Sequence, residues 1–174
     1  MILETNRLIL RPWEEEDARW LYFYARNHEV GLSGGWPPHK SEEESLFVIQ
    51  TTFSKPETYA VVYKDRPIGC VNLYLYPDGN YYWGEGNAEL GFWVGRPFWG
   101  HGMASEACKR LLQHGFDDLN LKTIFAIYRL KNKRSKAVLK KLGFKRHDSI
   151  FKYDYKDRPV EEVAMYLNAD AFKP

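Results

Sequence analysis

Trp99-Gly100-His101-Gly102-Met103-Ala104 joins a strand pattern to a long amphipathic helix pattern, and its reading decides the fold. Upstream, Ala88–Val94 carries apolar residues at 88, 90, 92 and 94, the alternation of a half-buried strand. Downstream, Ala104, Ala107, Cys108, Leu111, Leu112, Gly115, Phe116 and Leu119 recur at helical spacing and share one face. A strand that enters a helix through small residues leaves backbone N–H groups free at the helix start. With the positive end of the helix dipole they form a phosphate cradle. Gly102 and Ala104 let the backbone approach a bulky anion. A tight turn that needs small residues only for packing leaves the same trace, so Gly-x-Gly alone does not separate the two.

A second strand–helix unit follows. Thr123–Tyr128 reads as a short strand, and Asn132-Lys133-Arg134-Ser135 leads into a helix with Ser135, Val138, Leu139 and Leu142 on one face. Ser135 reads as its cap, and Gly143-Phe144 ends it. The chain thus holds Glu89-Leu-Gly-Phe-Trp93, then Phe98-Trp-Gly-His-Gly-Met-Ala-Ser-Glu-Ala107, then Asn132-x-x-Ser135 and Val138-Leu-Lys-Lys-Leu-Gly-Phe144. This order resembles the GNAT superfamily of acetyl-CoA-dependent N-acetyltransferases, and within it the ribosomal-protein N-terminal acetyltransferases and their small-molecule relatives. Glu4-Thr-Asn-Arg-Leu-Ile-Leu-Arg-Pro12 and Trp36-Pro-Pro-His39 fit that group too.

The resemblance implies an α/β (α+β) fold, a mixed, strongly twisted sheet of about seven strands with about four helices. It implies acetyl-CoA as co-substrate and direct attack by a primary amine in a ternary complex. Trp93, Val94, Trp99, Gly100, His101, Gly102, Met103, Ala104 and Ser105 match the coenzyme-binding segment, and Asn132 and Ser135 match positions near the coenzyme, a plain helix cap being the other reading of Asn132. Main-chain N–H groups where the strand ends at Gly95 are implied to polarise the thioester carbonyl. Glu89 matches a glutamate that removes the amine proton, and a carboxylate among aromatics suits that task. A structural ion pair is the other reading of Glu89. Two positions depart from the pattern: Leu139 stands where many relatives carry an acidic tyrosine, and Trp99 where glutamine or arginine is usual. That leaves Ser135 or water as proton donor, and a thiolate of thiol pKa about 8.5 is already a tolerable leaving group.

Composition is compatible with this. At 174 residues and 44% hydrophobic content, one core and one domain over residues 1–174 are expected. No apolar run of about 18 residues occurs, so no membrane span is expected. The N-terminus lacks a basic-then-apolar leader pattern. Cys70 and Cys108 read as reduced, packed thiols, which suits a cytoplasmic protein. The five histidines lack ligand spacing, so no metal is expected.

The remaining elements follow from local signals. Arg7–Arg11 reads as a strand and Glu14–Arg26 as a helix with Ala18, Leu21, Tyr22 and Ala25 inward. Gly31–His39 reads as a loop, and Ser41 with Glu44 as a capping box opening the next helix. Strands are expected at Tyr59–Tyr63 and Ile68–Tyr76 around the turn Lys64–Pro67, and Pro77–Gly86 is a polar, aromatic loop. Strands near Lys145–Tyr153 and at Val160–Leu167 flank a turn at Asp157-Arg158-Pro159.

The net charge of +2 is uninformative, but Arg129–Arg146 holds nine basic residues and no acidic one. That stretch reads as a solvated helix face, a coenzyme-phosphate attractor or a ribosome contact through RNA. Aromatic residues gather around the first helix, including Tyr24, and in the loops carrying Trp36 with His39 and Tyr81, Tyr82 and Trp83. Trp36, His39, Tyr24, Tyr82 and Trp83 are candidates for an acceptor site. Such rings also serve edge packing or a dimer surface, so monomer and homodimer both stand. Two functions result: an N-acetyltransferase acting on a protein N-terminus or a small-molecule amine, or a silent acetyl-CoA-binding sensor or ribosome-associated module.

Overall fold

The structure is a computed structural model and describes residues 1–155 and 158–174. In chain order the elements are β1 (Leu3–Glu4), β2 (Ile9–Arg11), α1 (Ala18–Ala25), α2 (His28–Gly34), α3 (Glu42–Thr51), β3 (Thr58–Tyr63), β4 (Arg66–Leu75), β5 (Asn87–Val94), α4 (Met103–Asp117), β6 (Thr123–Arg129), α5 (Lys133–Lys141), β7 (Lys145–Tyr155) and β8 (Arg158–Asn168). The strands form one mixed sheet in the order β1-β2-β3-β4-β5-β6-β8-β7. The described residues therefore hold eight strands and five α-helices, one more of each than expected. By packing, the chain divides into two units: residues 1–73 with 91–111, and residues 74–90 with 112–174.

In the first unit, β2 pairs antiparallel with β3, and β3 with β4. The β3–β4 turn is tight because Lys64 and Asp65 both take positive φ, 48° and 61°, as hairpin turns matched to strand twist require. Trp13, Leu21, Ala25, Ile49, Ala60, Val62 and Cys70 form the core, with Trp36, Phe53 and Trp93 packed against it. Glu15–Asp17 is a single 3₁₀ turn before α1 rather than helix proper. Tyr24, not Tyr22, is the buried tyrosine of α1.

The helix α2 lies where a loop was expected. Two glycines inside it, each costing about 1 kcal/mol relative to alanine in a helix, argue against that state locally. Packing reverses the balance: a Cβ on Gly31 would fall 2.7 Å from the Trp36 carbonyl oxygen, and one on Gly34 would meet the Trp36 indole. Asn27 caps the helix by accepting from the N–H groups of Glu29 (2.9 Å) and Val30 (3.3 Å), and Gly35 ends it at φ 83°. At α3, Ser41 accepts from Glu44 N–H as expected, but the Glu44 carboxylate takes the Lys40 N–H instead of closing a box on Ser41.

In the second unit, β5 runs parallel to β6 from Asn87–Leu90 against Thr123–Ala126. The antiparallel ladders β6–β8 and β8–β7 follow. Ile124, Ala126 and Tyr128 are buried, while Phe125, Ile127 and Arg129 occupy the opposite, half-buried face. Register aligns Glu89 with Phe125 and Phe125 with Tyr166, a row across three strands. Arg158 and Pro159 open β8 rather than forming a turn, and Asp157 lies outside the described residues. The α5 cap is Asn132, not Ser135: Asn132 Oδ1 accepts the Ser135 N–H at 3.1 Å. Among the described residues no helix is long and apolar enough to cross a membrane.

Candidate active site

The glycine turn is built for close approach. Gly100 and Gly102 take positive φ, 78° and 77°, on either side of exposed His101. A Cβ on Gly100 would meet nothing within 4 Å, and one on Gly102 only the Arg7 guanidinium at 3.6 Å. The helix ladder of α4 opens with Glu106 N–H on the Gly102 carbonyl, so the amides of Met103, Ala104 and Ser105 precede it. The Trp99 indole N–H donates to the Val94 carbonyl at 2.9 Å and ties the turn to the end of β5. Gly95 N–H, expected to face a carbonyl substrate, donates instead to Ile68 O at 2.7 Å.

Sequence reasoning missed what holds this turn. Both terminal nitrogens of Arg7 donate to the His101 carbonyl at 3.1 Å, and Arg7 Nε donates to Glu106 Oε2 at 2.7 Å. The other oxygen of Glu106 accepts from the Thr5 hydroxyl at 2.6 Å and from Arg7 N–H at 3.0 Å. In a trans peptide C=O and N–H are antiparallel, so holding the His101 carbonyl toward Arg7 turns the Gly102 N–H away from it. Burial pushes the Glu106 carboxyl upward, but the Thr5 and Arg7 hydrogen bonds outweigh it and leave Glu106 below its ordinary value. Thr5 and Arg7 stand about a hundred residues before α4, and their only trace in the chain was the Glu4–Pro12 resemblance.

Glu89 is 3% exposed. Its Oε2 accepts from Asn80 N–H at 3.2 Å and from the Trp83 indole N–H at 3.0 Å, and its Oε1 accepts from Asn80 Nδ2. Three donors offset the burial of one negative charge. A carboxylate oxygen accepts two hydrogen bonds, so Oε1 keeps one acceptor position. The loop bearing these donors is pinned by ring stacking and a hydrogen bond. Trp83 stacks on Phe125 (centroids 4.1 Å apart), Tyr81 stacks on Phe151 (3.6 Å), and the Tyr81 hydroxyl donates to Glu162 at 3.1 Å. Burial, then the Glu162 charge and hydrogen bond, push Tyr81 upward, so it stays a neutral donor. Tyr82 points out, 78% exposed, and shares a hydrogen bond with Tyr76.

The other aromatic candidates fall in the first unit. Trp36 packs on His39 (5.5 Å) and edge-on to Trp93 (5.6 Å), while Tyr24 packs on Phe98 (5.6 Å). The five acceptor candidates therefore split: Tyr24, Trp36 and His39 belong to one unit, Tyr82 and Trp83 to the other. Leu139 is wholly buried, its side chain part of the core. Ser135 Oγ accepts from Asn132 Nδ2 at 2.9 Å, which leaves the hydroxyl proton to donate elsewhere.

His39 is hydrogen-bonded through Nδ1 to Ser45 Oγ at 2.8 Å. Burial holds it below its ordinary value, with Glu44 pulling the other way. The unfolded chain therefore takes up this proton first on acidification. Stability is expected to fall as pH drops below about 6.5 and to level off once the folded state also protonates. Thermal melts between pH 7.5 and 5 should show that fall, and His39→Asn should flatten it.

A family model for the acetyltransferase (GNAT) domain matches residues 7–145. The chain belongs to the GNAT acetyltransferase family. The uncharacterised N-acetyltransferase p20 of Bacillus licheniformis is 30% identical over 171 residues, 94% of this chain and 93% of its own. YoaA of Bacillus subtilis, also an uncharacterised N-acetyltransferase, is 26% identical over 179 residues, covering 95% of this chain and 94% of that protein. Among solved structures, the ribosomal L7/L12 α-N-protein acetyltransferase RimL in complex with coenzyme A superposes with a TM-score of 0.83 at 20% identity. That match covers 98% of this chain and 99% of RimL. This GNAT protein is an acetyl-CoA-dependent N-acetyltransferase.

Proposed function

We propose that this acetyltransferase acts on α-amines or other weakly basic primary amines, with Glu89 as the base. The observation that carries this reading is the Glu89 carboxylate, buried, immobilised by Asn80 and Trp83, and left with one open acceptor position at Oε1. That position takes the proton of the attacking ammonium, directly or through water. The neutral nitrogen then attacks the thioester carbonyl, the C–S bond breaks, and coenzyme A leaves as a thiolate. The nitrogen, now bonded to the acetyl carbon, gives up its second proton, and Ser135 is the proposed relay that takes that proton as it passes its own to the thiolate, leaving amide and coenzyme A thiol.

The amine class follows from basicity. An α-amine of pKa about 7.7–8.0 is roughly 10–15% neutral at pH 7, whereas a lysine-like amine near 10.4 is below about 0.1%. The difference, about 3.5 kcal/mol, is deprotonation that a single carboxylate need not drive. The coenzyme phosphates are assigned to the amides of residues 102–105 at the start of α4. RimL, by its description, acetylates the α-amine of a ribosomal protein in complex with coenzyme A, and the shared fold supports a protein N-terminus as acceptor. The exposed lysines and arginines of α5 support a contact with ribosomal RNA.

Release of coenzyme A thiol from acetyl-CoA tests this. The acceptors are peptides beginning with Ala, Ser or Met, free amino acids, polyamines and aminoglycosides. Turnover is expected to favour α-amine peptides over polyamines at least tenfold at pH 7. Equal turnover of both overturns the amine-class assignment.

A further inference from the structure

The turn between β1 and β2 is anchored at its base and reaches α4 at its tip. Leu3, Leu8 and Leu10 are buried, and the turn closes with Thr5 N–H on the Leu8 carbonyl at 2.9 Å and Leu8 N–H on the Thr5 hydroxyl at 2.8 Å. From this turn Arg7 spans two groups, the Glu106 carboxylate and the His101 carbonyl. Nothing local to the chain fixes the peptide between His101 and Gly102. Glycine takes positive and negative φ about equally readily, so Gly102 at φ 77° leaves that plane free to turn over. As the plane stands, Gly102 N–H has no partner among the described residues and opens the run of amides at the start of α4. Turned over, it would present the His101 carbonyl oxygen to an anion. Arg7 disfavours that state, because a guanidinium holds donors only and would face the flipped N–H unpaired. Arg7 also neutralises Glu106, at 2.7 Å, a first-turn carboxylate that would otherwise repel an anion at the helix start. Folding alone accounts poorly for this latch: its two side chains are 43% and 20% exposed, and ion pairs that open to water add little to stability.

We propose that Arg7 is a positioning residue for the co-substrate, holding the 101–102 peptide with its N–H toward the coenzyme phosphates. This rests on the assignment of those phosphates to the amides of residues 102–105. Arg7 touches the carbonyl side of the peptide plane, so its effect passes through the backbone. Without it the two orientations of the plane exchange. The binding-competent fraction then falls, and apparent affinity weakens by the same factor. Lysine in its place keeps the charge but has no planar fork to bridge His101 and Glu106.

The test compares acetyl-CoA with S-acetylpantetheine, a thioester without the coenzyme's phosphates, in wild type, Arg7→Ala and Arg7→Lys. The Kd of coenzyme A is read by calorimetry and needs no acceptor. Values of kcat and KM are read with whichever amine wild type acetylates fastest. Expected for both variants is a rise of about tenfold or more in coenzyme A Kd and acetyl-CoA KM, the share of one hydrogen bond to a charged group. The kcat at saturating acetyl-CoA and the kcat/KM for S-acetylpantetheine should change less than twofold, and Tm should fall by less than about 4 °C. A rise in KM for both thioesters marks a structural loosening and overturns the proposal. Arg7→Lys behaving as wild type overturns it by reducing Arg7 to a charge, and an unchanged Kd in Arg7→Ala overturns it outright. Wild type itself should use acetyl-CoA at least tenfold better than S-acetylpantetheine. Equal use by wild type counts against the phosphate assignment, whereas a preference that Arg7→Ala retains counts against the positioning role alone.

Discussion

Glu89→Gln is expected to lower turnover by about 10²–10⁴-fold, the usual range for loss of a positioned general base, with acetyl-CoA affinity changed less than twofold. Glutamine has one acceptor oxygen where glutamate has two. Asn80 and Trp83 present donors to both carboxylate oxygens, so a glutamine NH₂ faces a donor whichever way it is turned. The variant therefore removes the base and also loosens the loop. The two effects separate in Asn80→Ala and Trp83→Phe, which weaken the latch and keep the carboxylate. Those variants should raise KM for the amine and reduce kcat less than tenfold. If either matches Glu89→Gln in kcat, Glu89 is a loop anchor and not the base. A pH–rate profile adds a further readout: without the base only the neutral amine reacts, so the acidic limb of kcat/KM should move to the amine's own pKa, whereas a loosened loop leaves the limb in place.

Gly69→Ala should be the most damaging single methyl in the first unit. A Cβ at Gly69 would fall 2.2 Å from the Trp93 carbonyl oxygen and 2.8 Å from the Val94 Cα, both backbone atoms of β5. Neither can swing aside, so β4 and β5 must part locally and strain the bond from Gly95 N–H to Ile68 O. A cost of about 3 kcal/mol or more is expected, at the upper end of overpacking. For a chain of this length that corresponds to a Tm drop of roughly 6–12 °C. Gly95→Ala is the contrast. Its Cβ would fall 2.5 Å from Tyr24 Cδ1, a ring that can tilt, and the drop should be less than half as large. Equal drops in the two melts would show that β4 and β5 are not held as closely as the Gly69 geometry requires.

What local sequence could express, it expressed. Alternation in Ala88–Val94, helical spacing from Ala104 and the glycines between them define a strand–turn–helix by themselves, because each signal is a periodicity within one segment. The positive φ at Gly100 and Gly102 and the buried face of α4 follow from it. Even Ser135 was misread only by three residues, Asn132 being the cap.

Tertiary structure decided what depends on residues far apart in the chain. The helix α2 exists against its own glycines because Trp36 fills the space they leave, its carbonyl at Gly31 and its indole at Gly34. Gly69 reads as an ordinary strand residue until Trp93 is placed against it, and Asn72 as a polar interruption of an apolar strand until Gly91 makes room for it. Arg7 and Glu106 are ordinary surface residue types until a hairpin brings them together at 2.7 Å. Residue identity at one position sets periodicity, propensity and charge. Whether a buried donor is paired, and whether a methyl group has space, is set by the partner strand, and that information lies in no single segment.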